Sequence, residues 1–492
     1  MTQTPPAAPN KKAVTDEAVL RSRAYFAGDW HAGQQTFGVI HPGDGRTLGA
    51  VADCTAEDAR AAIDAAEVAL RGWRAVTPYE RGQVLRRWHD LMFVHKEELA
   101  RLMTLEMGKP ITETRGEVHY AASFIEWCAE EASRIGGERI TMRAGNKRGF
   151  SNAEPVGIVY AVTPWNFPAG MITRKAAPAL AAGCVMILKP AEQSPMTALY
   201  LAELWLEAGG PANTLQVLPT NDAASFSAPF MEDARVRKLT FTGSTAVGRL
   251  LYTQAAKTLK RVSLELGGHA PFLIFDDADL ERAAREVVGS KFRNAGQTCI
   301  STNRVYVQRG VAEEFTRLLS ERAARLTLGD PLQDGTNVGP VVEQAGLDKV
   351  TAQVQDALAR GATATVGGQG TGGLYFQPTV LTNVHPDSLI LREETFGPVA
   401  PVVVFDTEEE ALRLANASEY GLAAYAYTRD LSRAWRVAEA LEYGIVGIND
   451  GVPSNGAPNV PFGGMKNSGV GREGGHWGLD EYLEIKFISM GV

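Results

Sequence analysis

Four stretches of this sequence keep one beat. In "GIVYAVTPWNFP" (157–168), "CVMILKPAEQSP" (184–195), "LQVLPT" (215–220) and "VRKLTFTGSTAVG" (236–248) an apolar, β-rich run stops at a turn marked by Pro, Gly, Ser or Thr. Helix-like segments lie between them. Strands joined this way favour one arrangement, because parallel neighbours need long crossovers and helical crossovers cover both faces of the sheet. The expectation is a parallel sheet sandwiched by helices.

The N-terminal third is read as alternating strand-like and helix-like segments. Its two clearest helical stretches are "AEDARAAIDAAEVALRGWRAV" (56–76) and "YERGQVLRRWHDLMFVHKEELARLMTLEMG" (79–108), with apolar residues at helical spacing and charges opposite. The longest apolar run, "AAPALAAGCVMIL" (176–188), is too short for a bilayer, which needs ~20 residues, and reads as a buried helix entering a strand. A second α/β block starts near Leu266. Its helix "DADLERAAREVVGSKF" puts Leu280, Ala283, Ala284, Val287, Val288 and Phe292 on one stripe. "RVYVQRG", "EEFTRLLSERAARL" and "YFQPTVLTNV" continue the block to a Gly/Asn/Pro-rich segment at 449–471. A chain of 492 residues exceeds a single core of ~250–300, so two α/β lobes with a cleft between them are expected.

Composition removes other classes. A net charge of −8 argues against a nucleic-acid partner, whose phosphates call for a basic face, and nothing points to a membrane. The first twenty residues, rich in Pro, Ala and charge, lack an apolar signal core and read as a loose tail. Cys54, Cys128, Cys184 and Cys299 are far apart, with no CxxC pair and no nearby histidine to complete a zinc site. No metal is expected, and the setting is a reducing one, the cytoplasm.

The chemistry gathers in a few short stretches. Cys299 follows Gly296-Gln297-Thr298 after a helix, in "KFRNAGQTCIST". A free cysteine is commonly a small buried hydrophobe, but this one sits on a loop, where reactive groups collect. Glu265 ends a strand-like run before two glycines; it is either a solvated carboxylate or a general base whose pKa is lifted by burial. Asn166, between Trp165 and Phe167, is either turn chemistry or a fixed amide aimed at an oxyanion. "FTGSTAVG" offers a helix N-terminus suited to phosphate but lacks GxGxxG. Lys189 and Glu192 form either a structural ion pair or a ribose-binding pair.

Taken in order, "TPWNFP", "KPAE", "FTGST", "ELGG", "GQTC", "EETFGP" and "PFGGMKNSGVGRE" resemble the aldehyde dehydrogenase superfamily from about Arg23 to the C-terminus. "RLMTLEMGKP", "YAASFIEW", "MITRKAAPALAAGC", "SKFRNAGQTC" and "LEYGIVGIN" are most similar to its succinate-semialdehyde branch. The resemblance implies a Rossmann-like NAD-binding domain (23–133 and 154–265), an α/β catalytic domain (266–470) and a small β oligomerisation element (134–153 and 471–492), after a tail at 1–22. It implies Cys299 as nucleophile, Asn166 as oxyanion donor, and Glu265 as the base that activates water on the thioester. It also implies a cofactor site of Trp165, Lys189, Glu192, Gly243, Ser244, Glu394 and Phe396. Glu192 would repel a 2′-phosphate, so NAD is expected.

In semialdehyde-oxidising relatives, arginines matching Arg174 and Arg293 grip a carboxylate in the substrate tunnel, a task suited to the guanidinium fork. Ser454 and Phe462 are expected to complete that site. The implied reaction is oxidation of succinate semialdehyde. A longer dicarboxylic semialdehyde (glutarate or 2-oxoglutarate semialdehyde) and a broad aldehyde range are the alternatives. Ser301 stands where several relatives have a second cysteine, which excludes a disulfide switch there. Asp450 reads as a turn residue and His269 as structural. The C-terminal "LEIKFISMGV" alternates like an unpaired edge strand, so a homodimer or homotetramer is expected.

Overall fold

A computed structural model describes residues 15–453 and 457–492. The four repeated runs and the next strand lie side by side as the parallel centre of an eight-stranded sheet, in the order Leu215–Val217, Val185–Lys189, Ile158–Val162, Val236–Thr242, Arg261–Glu265. Ala24–Phe26 and Asp29–His31 extend one edge antiparallel, and Gly469–Val470 closes the other. The central strands are buried on both faces, and helix Gly170–Ala182 is buried along its whole length. That accounts for the near-continuous apolar runs.

The chain works outward from Ile158–Val162 to Leu215–Val217, then crosses back to place Val236–Thr242 on the other side. The carboxyl ends of those two adjacent strands form a topological switch point, the place where open parallel sheets bind ligands. The turns leaving it are Thr163–Pro168 and Gly243–Ser244.

The second sheet has seven strands in the order Thr363–Val366, Thr379–Thr382, Val399–Phe405, Thr302–Gln308, Ala270–Ile274, Ala423–Tyr427, Ile445–Ile448, of which only the first is antiparallel to its neighbour. Helix Leu280–Lys291, capped by the Asp279 carboxylate, turns the expected stripe inward: Ala283, Ala284, Val287 and Phe292 are buried. A third, three-stranded sheet pairs Leu483–Gly491 antiparallel with Lys147–Pro155, in register from Leu483↔Pro155 to Gly491↔Lys147, with Arg139–Ile140 beyond. Ile485, Phe487, Ile488 and Met490 on the outer strand are exposed.

Three expectations are corrected. The tail thought loose to residue 22 is anchored from Asp16 onward: a short helix at Asp16–Val19 buries Val19, and Asp16 pairs with Arg46 at 2.9 Å and Arg101 at 2.6 Å. The N-terminal third does not keep alternating. Between Ala56 and Glu131 it is helix after helix, and the long segment 79–108 breaks at His95 (φ −98°, ψ 23°) into Pro78–Val94 and Lys96–Met107. Apolar spacing carries through that break, so periodicity alone cannot reveal it. Finally, Gly469–Val470, expected by resemblance in the second α/β part, pairs with the first, eight-stranded sheet.

Candidate active site

The loop that carries Cys299 is bent against its own preferences. After Arg293 the backbone enters the left-handed region three times running, at Asn294 (φ 52°), Ala295 (φ 52°) and Gly296 (φ 76°). For a residue with a side chain this costs ~1–2 kcal/mol each. Only glycine fits the third position, since a Cβ there would lie 2.1 Å from the Gly397 carbonyl oxygen. Hydrogen bonds over-determine the bend. Asn294 Nδ2 donates to the carbonyls of Asn166 and Gln297, both at 3.1 Å, and the Asn294 N–H donates to Glu113 Oε2 at 2.9 Å. The Gln297 side chain donates to Asn294 O at 3.0 Å and accepts from Val342 N at 2.9 Å.

Asn166 sits on the switch-point turn. Its Nδ2 donates to Gln297 O at 3.2 Å, holding the amide against the cysteine loop, and its carbonyl accepts Lys109 Nζ at 2.8 Å. Asn166 is buried, and its Oδ1 has no partner among the described residues.

Glu265 ends the edge parallel strand and is buried, with Oε2 unpartnered among the described residues. Burial raises its pKa well above the usual carboxylate range, and the nearby Glu473 charge adds to this. Arg174, Lys175 and Arg472 pull the other way. Gly463 leaves room for it: a Cβ there would stand 2.8 Å from Glu265 Oε1. The same physics acts on Cys299, whose thiol burial pushes up to about 12, with Arg174 opposing the rise and Glu265 and Glu394 adding to it. Burial makes each group hold its proton more tightly, and a carboxylate so raised is a stronger base toward the neighbouring thiol.

Two cavities meet at Cys299 and Met171. One, of about 360 Å³, opens at the switch point and is lined by Trp165, Asn166, Gly243, Ser244, Glu394 and Phe396, among others. The other, of about 230 Å³, lies on the far side of the cysteine and includes Arg174, Arg293, Tyr120, Phe167, Val452 and Phe462. In the first, Trp165 and Phe396 meet edge to face at 5.6 Å, and Glu394 Oε1 accepts Gly268 N at 2.9 Å. The Ser244 hydroxyl caps helix Thr245–Ala256, whose N-terminus therefore faces the cavity. Lys189 and Glu192, 3.1 Å apart, do not line it. They stand at the end of the neighbouring strand, joined to the cavity wall through Gln193, which donates to Glu343 at 2.9 Å.

In the second cavity both expected arginines are present. Arg174 is buried, its guanidinium 3.9 Å from the Phe462 ring centroid, and Nη1 donates to Tyr120 OH at 3.3 Å. Its Nη2 lies 2.9 Å from Glu473 Oε2, in ion-pair contact but off the hydrogen-bond angle. Glu473 also accepts from Lys175 Nζ. Arg293 lies over Phe167 at 5.5 Å. Ser454 lies outside the described residues. Asp450 is a turn residue: its carboxylate accepts Val452 N at 2.9 Å. His269 is buried, and burial holds its pKa well below the usual imidazole value.

A cysteine between two cavities, with an amide and a carboxylate converging on it, suits thiol addition to a carbonyl followed by transfer to a second ligand. Residues 30–488 match the aldehyde dehydrogenase family. The chain belongs to that family. This aldehyde dehydrogenase is 50% identical to a succinate-semialdehyde dehydrogenase [NADP(+)] of Escherichia coli, over 97% of the chain and 100% of the relative. It is 49% identical to a glutarate-semialdehyde dehydrogenase of Pseudomonas putida, over 97% and 99%. Among solved structures, a succinate-semialdehyde dehydrogenase from Burkholderia pseudomallei superposes with a TM-score of 0.95 at 48% identity, covering 98% of this chain and 100% of that one.

Sequence reasoning missed several residues of this dehydrogenase's site. Glu473 lay inside a quoted motif, yet its partners Arg174 and Lys175 are some 298 positions away. Lys109, Glu113, Glu117 and Tyr120, which line the second cavity, belong to "MGKP" and the following helix. The available signal was a Lys and two Glu, at 109, 113 and 117, spaced four residues apart.

Cys54, Cys128 and Cys184 are buried, whereas Cys299 is the cysteine at both cavities. Alkylation by iodoacetamide, followed by mass spectrometry, is therefore expected to modify Cys299 first. Because the thiol pKa is raised, its rate should climb without a plateau between about pH 6 and pH 9, and Cys299→Ser should abolish the fast phase.

Proposed function

We propose that this aldehyde dehydrogenase oxidises succinate semialdehyde to succinate with NAD as acceptor. The observation that carries the reading is the pair Arg174 and Arg293 in the cavity beyond Cys299. A guanidinium there can bind a carboxylate through charge-assisted hydrogen bonds while the aldehyde at the other end of the molecule meets the thiol.

In this reading Cys299 Sγ adds to the aldehyde carbon, and Glu265 receives the thiol proton. The Asn166 amide donates to the oxyanion, in an environment dry enough to strengthen that bond. When bound, the nicotinamide supplies the two-electron acceptor for the hydride of the thiohemiacetal. Trp165, Phe396, Glu394 and the Ser244 helix N-terminus would hold it, with Gly243 giving close approach and Lys189 and Glu192 taking the adenosine ribose at the rim. Once it has released the thiol proton to solvent, Glu265 takes a proton from the water that attacks the Cys299 thioester, and the acid leaves as the Cys299 thiolate departs.

Preference for NAD rests on Glu192. Its carboxylate, tied to Lys189 at 3.1 Å, would oppose a 2′-phosphate, although the E. coli relative carries NADP(+) in its name. Glutarate semialdehyde is the second reading, favoured by the near-equal identity to the P. putida relative. The exposed apolar residues of the outer strand Leu483–Gly491 support assembly into a homo-oligomer, and four unpaired cysteines support a reducing, cytoplasmic setting.

Three measurements test this reading. NADH formation should be far faster, per kcat/KM, with succinate semialdehyde than with butanal. Arg293→Ala should remove ~2–5 kcal/mol of that preference, and equal rates with the two aldehydes would sink the clamp. Glu192→Ser should shift the NAD-to-NADP ratio of kcat/KM toward NADP by about tenfold or more; an unchanged ratio argues against the carboxylate as the discriminator. Light scattering should give a dimer or tetramer, and Phe487→Glu, on the exposed strand, should lower that mass.

A further inference from the structure

The second cavity is lined by three cations, Lys109, Arg174 and Arg293, but two are already matched by the protein. Lys109 lies 2.5 Å from Glu117, fully buried with it, and also donates to Asn166 O. Arg174 faces Glu473 at 2.9 Å. Among the described residues Arg293 has no carboxylate within ion-pair distance, and its Nε is buried without a partner. The remaining carboxylate on the cavity wall is Glu113, half-buried in the first turn of helix Ile111–Glu131. Its hydrogen bond comes from the N–H of Asn294, the residue next to Arg293. Glu113 therefore shares this cavity with the cation of its lining that meets no carboxylate among the described residues.

We propose that Glu113 is a specificity-determining residue that makes Arg293 available to the substrate's carboxylate only when Glu113 carries a proton. The inference rests on the reading that this cavity takes a carboxylate. As a neutral acid, Glu113 presents an O–H that can donate to the substrate carboxylate held by Arg293. As an anion, it lies in the field of the same guanidinium, beyond ion-pair distance of it, and repels the same carboxylate.

The groups facing Glu113 are Lys109 from the preceding turn, Arg293 and the Asn294 N–H from the cysteine loop, and Glu117 one turn along its own helix. Burial favours the neutral form and Glu117 adds to this, while the two cations and the N–H oppose it. Together they hold the carboxyl at about 7. An incoming carboxylate adds one more negative charge, so binding draws a proton onto Glu113. Below this value the clamp is open to substrate; above it the clamp closes to anions, with no such effect on an uncharged aldehyde.

The test is the ratio of kcat/KM for succinate semialdehyde to that for butanal, followed from about pH 6 to pH 9 in wild type, Glu113→Gln and Glu113→Asp. Titration of Cys299 and Glu265 acts on both substrates and cancels in the ratio. The expected result is a wild-type ratio that falls about tenfold or more as pH rises, a flat ratio in Glu113→Gln and a retained fall in Glu113→Asp. A ratio well above unity but flat with pH in wild type would overturn the role of Glu113 and leave the arginine clamp standing. A ratio near unity at every pH would remove the clamp and this inference together. If Glu113 only supported the loop, Glu113→Gln would slow both aldehydes alike and keep the wild-type slope. Should that variant fail to fold, calorimetry of succinate binding to wild type in two buffers of different ionisation heat decides the matter. Proton uptake near pH 8 supports the proposal, and its absence overturns it.

Discussion

The carbonyl oxygen of Asn166 accepts two donors, Lys109 Nζ at 2.8 Å and Asn294 Nδ2 at 3.1 Å. One donor belongs to the N-terminal helical layer and the other to the loop between helix Leu280–Lys291 and the second sheet. The acceptor sits on the switch-point turn of the first sheet. This three-way contact ties both lobes together at the cysteine. It also explains how a loop with three successive left-handed residues persists: each bond it makes to Asn166, Gln297 and Glu113 offsets part of the backbone cost. Breaking the buried Lys109–Glu117 pair by deleting one partner should cost ~3–5 kcal/mol, because the other charge would be left in a dry site.

The same dryness sets the chemistry. Glu265, Glu113 and Cys299 all have their pKa values raised, each first by burial and then by neighbouring negative charge. Glu473 goes the other way, since Lys175 and Arg174 outweigh its own desolvation. Opposite shifts in neighbouring carboxyls are how one site separates groups that hold a proton from groups that hold a charge. Here Glu473 takes Arg174 and Lys175 as partners, and Glu265 is left without an ion pair among the described residues.

Much of this was legible in one dimension. The parallel sheet was readable because strands buried on both faces must be apolar throughout, as in "CVMILK", and the inward stripe of 280–292 because a helix repeats every 3.6 residues. The cysteine loop was readable because its composition, a Gly and a Gln before a lone Cys, has no place in a core stripe. The break at His95 was not, since the amphipathic spacing runs through it.

By itself the sequence determined the layered fold, the position of the thiol, the amide and the carboxylate along the chain, and the family to which they belong. These are properties of local pattern and of short motifs. Only the tertiary structure decided which charges are spent. Arg174 and Arg293 look equivalent in sequence, yet Glu473, some 298 residues from Lys175, neutralises the first, while the second is left facing Glu113. Electrostatic pairing depends on separation in space and on the water excluded between the partners, and neither quantity exists until the chain has closed around them.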